Sequence, residues 1–185
     1  YSNLNKQIDD GFGKVKYGDD DYELANALRK DAAKFSAYRN YQYLAELETK
    51  KVDKTTGELL NEKDYKKVAK GTYFKYKNYA EAERDLAYKT ADTAAKWQDF
   101  ERTKDLYPNL EYTASRSAEP REEHRQYYGL IKPIDDPIWR TILPPNGWGC
   151  SCGVRKTRKD ADNTKYKTEK TKPGIVGNAA KDKKL

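Results

Sequence analysis

Two stretches of helical periodicity, separated by a single turn, constrain the fold of this 185-residue chain more than any other feature. The first begins at the acidic residues 19–21, whose charges favour a helix N-terminus, and runs to about Lys50. The second begins at Asn61, a residue type suited to the N-cap. Because residues 53–57 form a turn between them, the pattern predicts an αα-hairpin over residues 19–104. The apolar positions that define the two helical faces are Leu24, Leu28, Ala32, Phe35, Tyr38, Ala45, Tyr65, Val68, Ala69, Tyr76, Ala80, Leu86, Ala87, Ala91, Ala94 and Trp97.

The composition favours elongated helices over a deep globular core. Apolar and charged residues each make up 36% of the chain, and 16 tyrosines outnumber the 4 phenylalanines and 3 tryptophans. Because a tyrosine hydroxyl needs water or a partner, a core rich in tyrosine stays close to the surface. Gly71 interrupts the second helical pattern. Glycine inside a helix costs roughly 1 kcal/mol against alanine, so we expect a kink or a break there.

The residues outside the hairpin predict a small second lobe and two irregular ends. Residues 1–18 contain three glycines and no sustained period, which predicts an irregular N-terminal arm. Residues 105–156 combine a short strand, a short capped helix and a last strand with several prolines, a pattern typical of a compact, loop-rich lobe. Residues 157–185 indicate a basic tail, or a linker to a missing C-terminal part. The predicted fold class is therefore mainly α with a small α+β lobe.

Two features are absent from the sequence. No window approaches the run of about 18 apolar residues that a membrane span needs, so we expect no membrane partner. The chain contains no methionine, which means that it does not begin at its own start codon. We therefore expect the natural protein to be longer.

The excess positive charge lies at one end of the chain. Residues 153–185 hold eleven Lys or Arg against four acidic residues, a difference that equals the whole formal net charge of +7. Lys and Arg gain affinity for phosphate by displacing counterions, so this segment suits double-stranded DNA, bound without sequence specificity, or an acidic protein surface. A solvated linker is the alternative. The candidate nucleic-acid-binding residues are Arg155, Lys156, Arg158, Lys159, Lys165 and Lys167.

One histidine and two cysteines make up the candidate metal site. A tetrahedral zinc ion has four ligands, and three of them could be His124, Cys150 and Cys152. A bound metal ion would add much to the stability of a small lobe. Asp135, Asp136, a water molecule or another chain could supply the fourth ligand. We expect reduced thiols, because a C-x-C pair reaches disulfide geometry only with strain. The alternatives are two buried small residues, or a cysteine nucleophile activated by His124.

The segment before the cysteines predicts a turn and a small core. Pro144-Pro145 stiffens an extended stretch, and Asn146-Gly147 readily forms a tight turn. The chain therefore delivers Trp148 and Cys150 from a defined direction. We expect Trp139 and Trp148 to form the core of the lobe.

The short helix predicted over residues 117–129 carries a second interaction. Arg121 and His124 are three residues apart and share one face. His124 can then meet the cysteines, while Arg121 is placed to pair with Asp135 or Asp136.

The motifs of the second lobe resemble those of a known family, the Phage Mu protein F-like minor head (head morphogenesis) proteins of tailed phages and prophages. The resemblance covers about residues 20–156. Family members commonly carry an acid shortly before the motif arginine and an arginine between the cysteines, where this chain has Arg116-Ser117 and Ser151. The matching motifs are Leu110-x-Tyr112-Thr113, Arg121-x-x-His124, Gly129, Asp135-Asp136-Pro137-x-Trp139, Pro144-Pro145-Asn146-Gly147-Trp148 and Cys150-x-Cys152-x-Val154.

The resemblance implies a structural, non-enzymatic protein of the phage head, without catalytic residues. Such a protein is assembled in the bacterial cytoplasm, is present in few copies in the head interior or portal region, and has the portal and other head proteins as partners. Contact with packaged DNA is compatible with the basic tail. Two alternatives stay open: a DNA-binding module that works through the tail, and a fragment of a phage-associated enzyme or toxin whose catalytic part lies beyond residue 185.

Overall fold

The computed structural model describes residues 2–163, 166, 175 and 177–185. It is mainly helical with one small antiparallel sheet, which confirms the predicted fold class. No helix in these described ranges has the length and apolar character needed to cross a bilayer. The elements in chain order are α1 (Ser2–Phe12), α2 (Tyr22–Thr49), α3 (Glu62–Arg102), β1 (Asn109–Thr113), α4 (Glu122–Arg125), β2 (Ile131–Pro133), a 3-10 helix (Pro137–Arg140), β3 (Gly153–Thr157) and α5 (Ala179–Asp182).

The predicted hairpin is present as α2 and α3. Asn61 caps α3 as expected, since its side-chain oxygen accepts a hydrogen bond from the Asp64 amide at 3.0 Å. The connecting turn is closed by the Gly57 amide, which donates to the Asp53 carbonyl at 2.8 Å. The expected break at Gly71 was wrong, because α3 is continuous through this position. Its neighbour Thr72 is buried, and the Thr72 hydroxyl accepts a hydrogen bond from the ammonium of Lys50, the residue that follows α2.

The N-terminal arm is a helix, and the prediction of an irregular arm was wrong. Leu4, Ile8 and Phe12 recur every fourth residue and are all buried between α2 and α3. Gly11 has a packing role, because a Cβ atom there would lie 2.3 Å from the Tyr88 carbonyl oxygen of α3. The glycine that looked like a helix breaker thus allows two helix backbones to approach each other closely.

One continuous hydrophobic cluster joins the helices to the second lobe. It contains α1, the N-terminal half of α2, the C-terminal half of α3 and the buried residues of the sheet and its loops. The second lobe therefore shares this core with the helices instead of having one of its own. The largest fully buried side chains of the shared core are Trp97, Trp139, Tyr112, Ile8, Leu28, Leu110, Leu130, Ile134 and Ile142.

The sheet has the strand order β2-β1-β3, with both outer strands antiparallel to β1. The strand prediction around Leu110 is confirmed, and Leu110 and Tyr112 alternate toward the core as a half-buried strand requires. Tyr112 lies opposite Val154 in the β1–β3 register. The last strand, which the sequence predicts over residues 150–155, begins only at Gly153, so Cys150 and Cys152 lie just before β3.

The described parts of the predicted tail pack against the body. Asp162 pairs with Ile131 in both directions: its amide donates to the Ile131 carbonyl, and its carboxylate accepts from the Ile131 amide, each at 2.8 Å. Ala179 and Ala180 of α5 are buried against α3, and the Leu185 amide donates to Asp31 at 3.1 Å. A free tail or linker over these residues is therefore wrong. The physical reason is that this segment buries small apolar side chains that a charge count does not reveal.

Two glycine substitutions test the packing of α1. Gly11→Ala is expected to lower the free energy of unfolding by about 1–3 kcal/mol, because the new methyl group must push α1 away from the α3 backbone. Gly71→Ala is the matched control: nothing lies within 4 Å of its added Cβ, and alanine should stabilise α3 by about 0.5–1 kcal/mol. Urea denaturation followed by circular dichroism measures both. Equal effects of the two changes would contradict the close contact of α1 with α3.

Candidate functional site

The structure brings together the three residues that the sequence singles out as metal ligands. The Cys150 and Cys152 sulfur atoms each lie 3.7 Å from His124 Nδ1. The three ligand atoms all fall within 4.8 Å of one another. His124 and Cys150 are buried, and Cys152 is half-buried. The cluster is therefore mostly buried in the second lobe, and Cys152 is the member that is partly accessible to solvent.

His124 is positioned by the short helix α4. This helix is only four residues long, shorter than the predicted capped helix, and the Arg121 carbonyl accepts the His124 amide at 3.1 Å. The next turn continues the helical direction, because the Tyr127 amide donates to the His124 carbonyl at 3.1 Å. Strand β1 then anchors the segment through the Gly129 amide, which donates to the Tyr112 carbonyl at 2.9 Å.

The cysteines are positioned by the predicted turn. The Cys150 amide closes it by donating to the Gly147 carbonyl at 3.1 Å, and Gly147 adopts the positive φ of 138° that favours glycine. The segment is held again by the Arg116 amide, which donates to the Ser151 carbonyl at 3.2 Å. The Ser151 hydroxyl accepts from Lys89 of α3 at 3.3 Å. The residue between the cysteines therefore contacts α3 while both thiols meet His124.

Arg121 has a different partner from the one predicted. Its guanidinium donates to the Trp148 carbonyl and lies 3.6 Å from the Glu123 carboxylate. Pairing with Asp135 or Asp136 was wrong, because Asp136 instead caps the 3-10 helix by accepting from the Ile138 amide at 2.8 Å.

Arg121 therefore connects the start of α4 to the turn that carries the cysteines. A Cβ at Gly147 would lie 3.2 Å from this guanidinium, so glycine also provides the room for it.

Neither aspartate supplies a fourth ligand. Asp135 is exposed, and the Asp136 side chain is used by the cap. Within the described ranges, the group of potential ligands has three members, His124, Cys150 and Cys152.

The electrostatics of the two thiols are unequal. The interaction with Cys152 holds the pKa of Cys150 below its usual range, against the opposing effect of burial. The same interaction raises the pKa of Cys152, and burial raises it further. Burial also raises the pKa of Tyr112, and the neighbouring Cys152 raises it further. The pair therefore accepts one negative charge far more readily than two.

Two tyrosines complete the cluster, and sequence reasoning missed both. The hydroxyl oxygens of Tyr112 and Tyr128 are buried without a hydrogen-bond partner among the described residues. Both tyrosines influence the pKa of Cys152, although neither hydroxyl reaches hydrogen-bond geometry with the sulfur. Tyr128 follows His124 by four residues, a spacing that places both on one helical face and could have revealed it.

The geometry differs from that of a single nucleophile activated by a base. A catalytic base pairs with one nucleophile and is oriented by a third group. Here His124 Nδ1 is equidistant from two sulfurs, and the other ring nitrogen lies 3.9 Å from the Glu123 carboxylate, beyond a hydrogen bond.

The two tryptophans of the motif have different environments. Trp139 is 1% exposed and its indole donates to the Pro133 carbonyl at 2.8 Å, which places it in the core as predicted. Trp148 is only half-buried, and it lines a groove with Phe35 of α2 and Leu86 of α3. The expectation that Trp148 belongs to the lobe core was wrong, because the turn directs its ring toward the helices.

Four of the candidate DNA-binding residues contact the body of the protein. Glu111 of β1 receives three hydrogen bonds from Arg155, at 3.0, 3.0 and 3.2 Å, and lies 3.3 Å from the Lys159 ammonium. The Arg155 guanidinium lowers the pKa of Glu111. Lys156 pairs with Asp99 at 2.7 Å, and Arg158 donates to the Leu106 carbonyl at 3.0 Å. Lys165 and Lys167 lie outside the described residues.

These features define a helical protein whose small lobe is built around a histidine and a C-x-C pair. A profile of the family described as Phage Mu protein F like protein matches residues 13–155, most of the chain. The chain therefore belongs to this family, which confirms the resemblance seen in its motifs.

Two relatives show how far the similarity extends. A protein of Escherichia phage Mu named "Putative capsid assembly protein F" is 39% identical over 67 residues, which are 36% of this chain and 15% of that protein. The Mu-like prophage FluMu F protein of Haemophilus influenzae is 40% identical over 65 residues, 35% of this chain and 16% of its own length. The matched segments thus span about a sixth of each relative. No solved structure matches the chain significantly.

The tryptophans give a test of the lobe core. Trp139→Ala is expected to lower the free energy of unfolding by about 3–5 kcal/mol, the usual range for emptying a buried aromatic site. Trp148→Ala should cost less, because Trp148 is only partly buried and lines a groove instead of filling the core. Denaturant titration of both variants against the parent chain measures the difference. A larger destabilisation at Trp148 would contradict the assignment of the core to Trp139.

Proposed function

We propose that this chain is a structural, non-enzymatic component of the phage head that acts during head assembly through contacts with the portal and other head proteins. Support comes from its family and from the name of the phage Mu relative, which refers to capsid assembly. The structural observation that carries the proposal is the far end of the hairpin, which extends beyond the core and exposes aromatic side chains. We place the protein in the virion, in the head interior or portal region.

The far end of the hairpin has almost no core of its own. Of residues 33–85, all of which the structure describes, only Thr72 is buried. Tyr41 is 69% exposed, and Leu44 and Tyr73 are more than half exposed. Exposed apolar groups in such number mark protein–protein contacts more often than free surface. We call this set the hairpin-end surface: Tyr38, Tyr41, Leu44, Val68, Tyr73, Phe74 and Tyr79.

Polar contacts hold the two helices together beneath this surface. The Arg39 guanidinium lies over the rings of Tyr76 and Tyr79, 5.3 and 4.9 Å from their centroids, and pairs with Glu83 at 2.6 Å. Farther out, Lys75 pairs with Glu46 at 2.8 Å and, together with Lys50, holds the pKa of Glu46 down at about 2. The arm is thus ordered by ion pairs and cation–π contacts, in which Tyr79 is the member of the hairpin-end surface that Arg39 engages.

The charge of the arm indicates the chemistry of the partner. Residues 63–77 of α3 contain six lysines and one acidic residue. A complementary partner would present acidic side chains around an apolar patch. We assign this partner to the portal or a neighbouring head protein.

Removal of hairpin-end side chains should weaken binding to this partner. The double change Tyr41→Ser and Phe74→Ser removes two aromatic anchors, and a decrease of about 2 kcal/mol in binding free energy, roughly 30-fold in affinity, is expected if they are central to the interface. Affinity is measured by biolayer interferometry against the portal protein of the same phage, and filled heads are counted by electron microscopy after complementation of a disrupted gene.

Tyr17→Ser is the matched control, because Tyr17 is 87% exposed but lies outside the hairpin. It should leave both readouts unchanged. If the double variant binds the portal and every other head protein as the parent does, and restores filled heads equally, the proposed contact surface is refuted.

A second candidate function is non-specific binding of double-stranded DNA. The charge of residues 153–185 favours it, since this segment carries the whole net charge of +7. Arg155, Lys156, Arg158 and Lys159 already have partners on the body. The contribution to DNA binding is therefore assigned mainly to Lys165 and Lys167.

Salt dependence tests this second function. Changing Lys165 and Lys167 to Glu should reduce the slope of log affinity against log salt by about 0.9 for each phosphate that is no longer neutralised, about 1.8 in total. Gel shifts on duplex DNA from low to moderate salt measure the slope. The variant Lys14→Glu, Lys16→Glu carries the same charge change in an exposed loop and controls for net charge. Equal slopes for both variants would exclude DNA as a partner of this segment.

A further inference from the structure

We propose that His124, Cys150 and Cys152 bind a single zinc ion, through His124 Nδ1 and the two thiolate sulfurs, with a water molecule as the fourth ligand. The proposal rests on the geometry of the cluster and is independent of the proposed role in head assembly.

The two sulfur–nitrogen distances of the cluster match tetrahedral zinc. Zinc–sulfur bonds of about 2.3 Å and zinc–nitrogen bonds of about 2.0–2.1 Å at a tetrahedral angle place sulfur and nitrogen about 3.6 Å apart. The two observed separations from His124 Nδ1 are 3.7 Å. One ion can therefore reach all three atoms with little rearrangement. Two soft thiolates and an imidazole in tetrahedral arrangement favour zinc among the common divalent metals.

The ligands are held in place by contacts that do not involve a metal. Arg121 ties the start of α4 to the turn through the Trp148 carbonyl. The Ser151 carbonyl and hydroxyl are held by the Arg116 amide and by Lys89. These contacts come from separate parts of the chain and converge on the three ligands. Such preorganisation is what a binding site requires from its surroundings.

Two buried hydroxyl groups next to the cluster provide an independent observation in favour of zinc. Tyr112 and Tyr128 are buried donors without an acceptor among the described residues, next to Cys152. A buried unsatisfied hydroxyl costs free energy, and a neutral thiol is a poor acceptor. A zinc-bound thiolate carries negative charge and accepts hydrogen bonds well. Zinc binding would thus satisfy two hydroxyls that the metal-free protein leaves unpaired.

The fourth position opens toward solvent. Cys152 is half-buried, and no fourth protein ligand reaches the group within the described ranges. Near the other nitrogen of His124 lies the Glu123 carboxylate, at 3.9 Å. A small shift would let it accept the second ring N–H, the usual arrangement behind a zinc-bound histidine. The ion would then join α4 to the segment before β3 and stabilise a lobe whose strands have five residues or fewer.

Metal loading of the reduced chain tests the proposal. Chelator-treated protein, with both thiols confirmed free, is reloaded with zinc chloride, desalted and analysed by mass spectrometry for metals. We expect one zinc per chain. Reloading with cobalt chloride instead should give thiolate-to-cobalt charge-transfer bands and the visible bands of a tetrahedral ion. Zinc at about 100 times its dissociation constant should raise the melting temperature by about 5–10 °C.

Three variants identify the ligands. Cys150→Ser, Cys152→Ser and His124→Asn should each weaken cobalt binding at least tenfold. Asp135→Asn, a change at an exposed residue of the same lobe that is not a ligand, should bind as the parent does. Metal uptake by the parent chain tests the proposal even where a variant fails to fold. Reduced parent protein that takes up no zinc, shows no charge-transfer band with cobalt and melts at the same temperature with and without metal would overturn the proposal.

Discussion

The structure depends on the small-residue face of the C-terminal half of α3. Ala87, Ala91 and Ala94 are buried there, and they let α1 approach so closely that Gly11 has no room for a side chain. The same half of α3 receives α2, α5 and the second lobe. Small side chains reduce the apolar area of each contact but allow several elements to share one short helical segment. The shared core of a chain with few large aliphatic residues is possible for this reason.

The candidate metal cluster depends on that core indirectly. Lys89 of α3 holds Ser151, and Lys156 of β3 reaches back to Asp99 of α3. The segment that carries Cys150 and Cys152 is therefore held against α3 at Ser151, between the cysteines, and again at Lys156 in β3. In the opposite direction, α3 and α2 extend away from the core as an arm that polar and cation–π contacts stabilise. The protein thus combines a packed base, which carries the cluster, with an ordered arm that exposes aromatic side chains.

The candidate site was predictable in its ligands but not in its surroundings. His124, Cys150 and Cys152 are rare residue types with few alternatives, so chemistry alone indicated them. The partner of Arg121 was not predictable, because Asp135 and Asp136 are charge-complementary and closer in sequence than the Trp148 carbonyl that it contacts. Every residue has a backbone carbonyl, so a sequence pattern does not show which carbonyl will accept a hydrogen bond. Tyr112 and Tyr128 were missed because tyrosine is common throughout this chain.

The sequence by itself determined the two long helices, their cap at Asn61 and the intervening turn, because these features depend on contacts between residues only a few positions apart. Tertiary contacts were needed to establish that residues 2–12 are helical, that α5 packs on α3, and that Trp139 rather than Trp148 is in the core. Each of these outcomes depends on the distance between segments that are remote in the chain. The structural role of a glycine or a charged residue changes when the backbone of a remote segment lies against it. Local periodicity does not show whether such a neighbour is present.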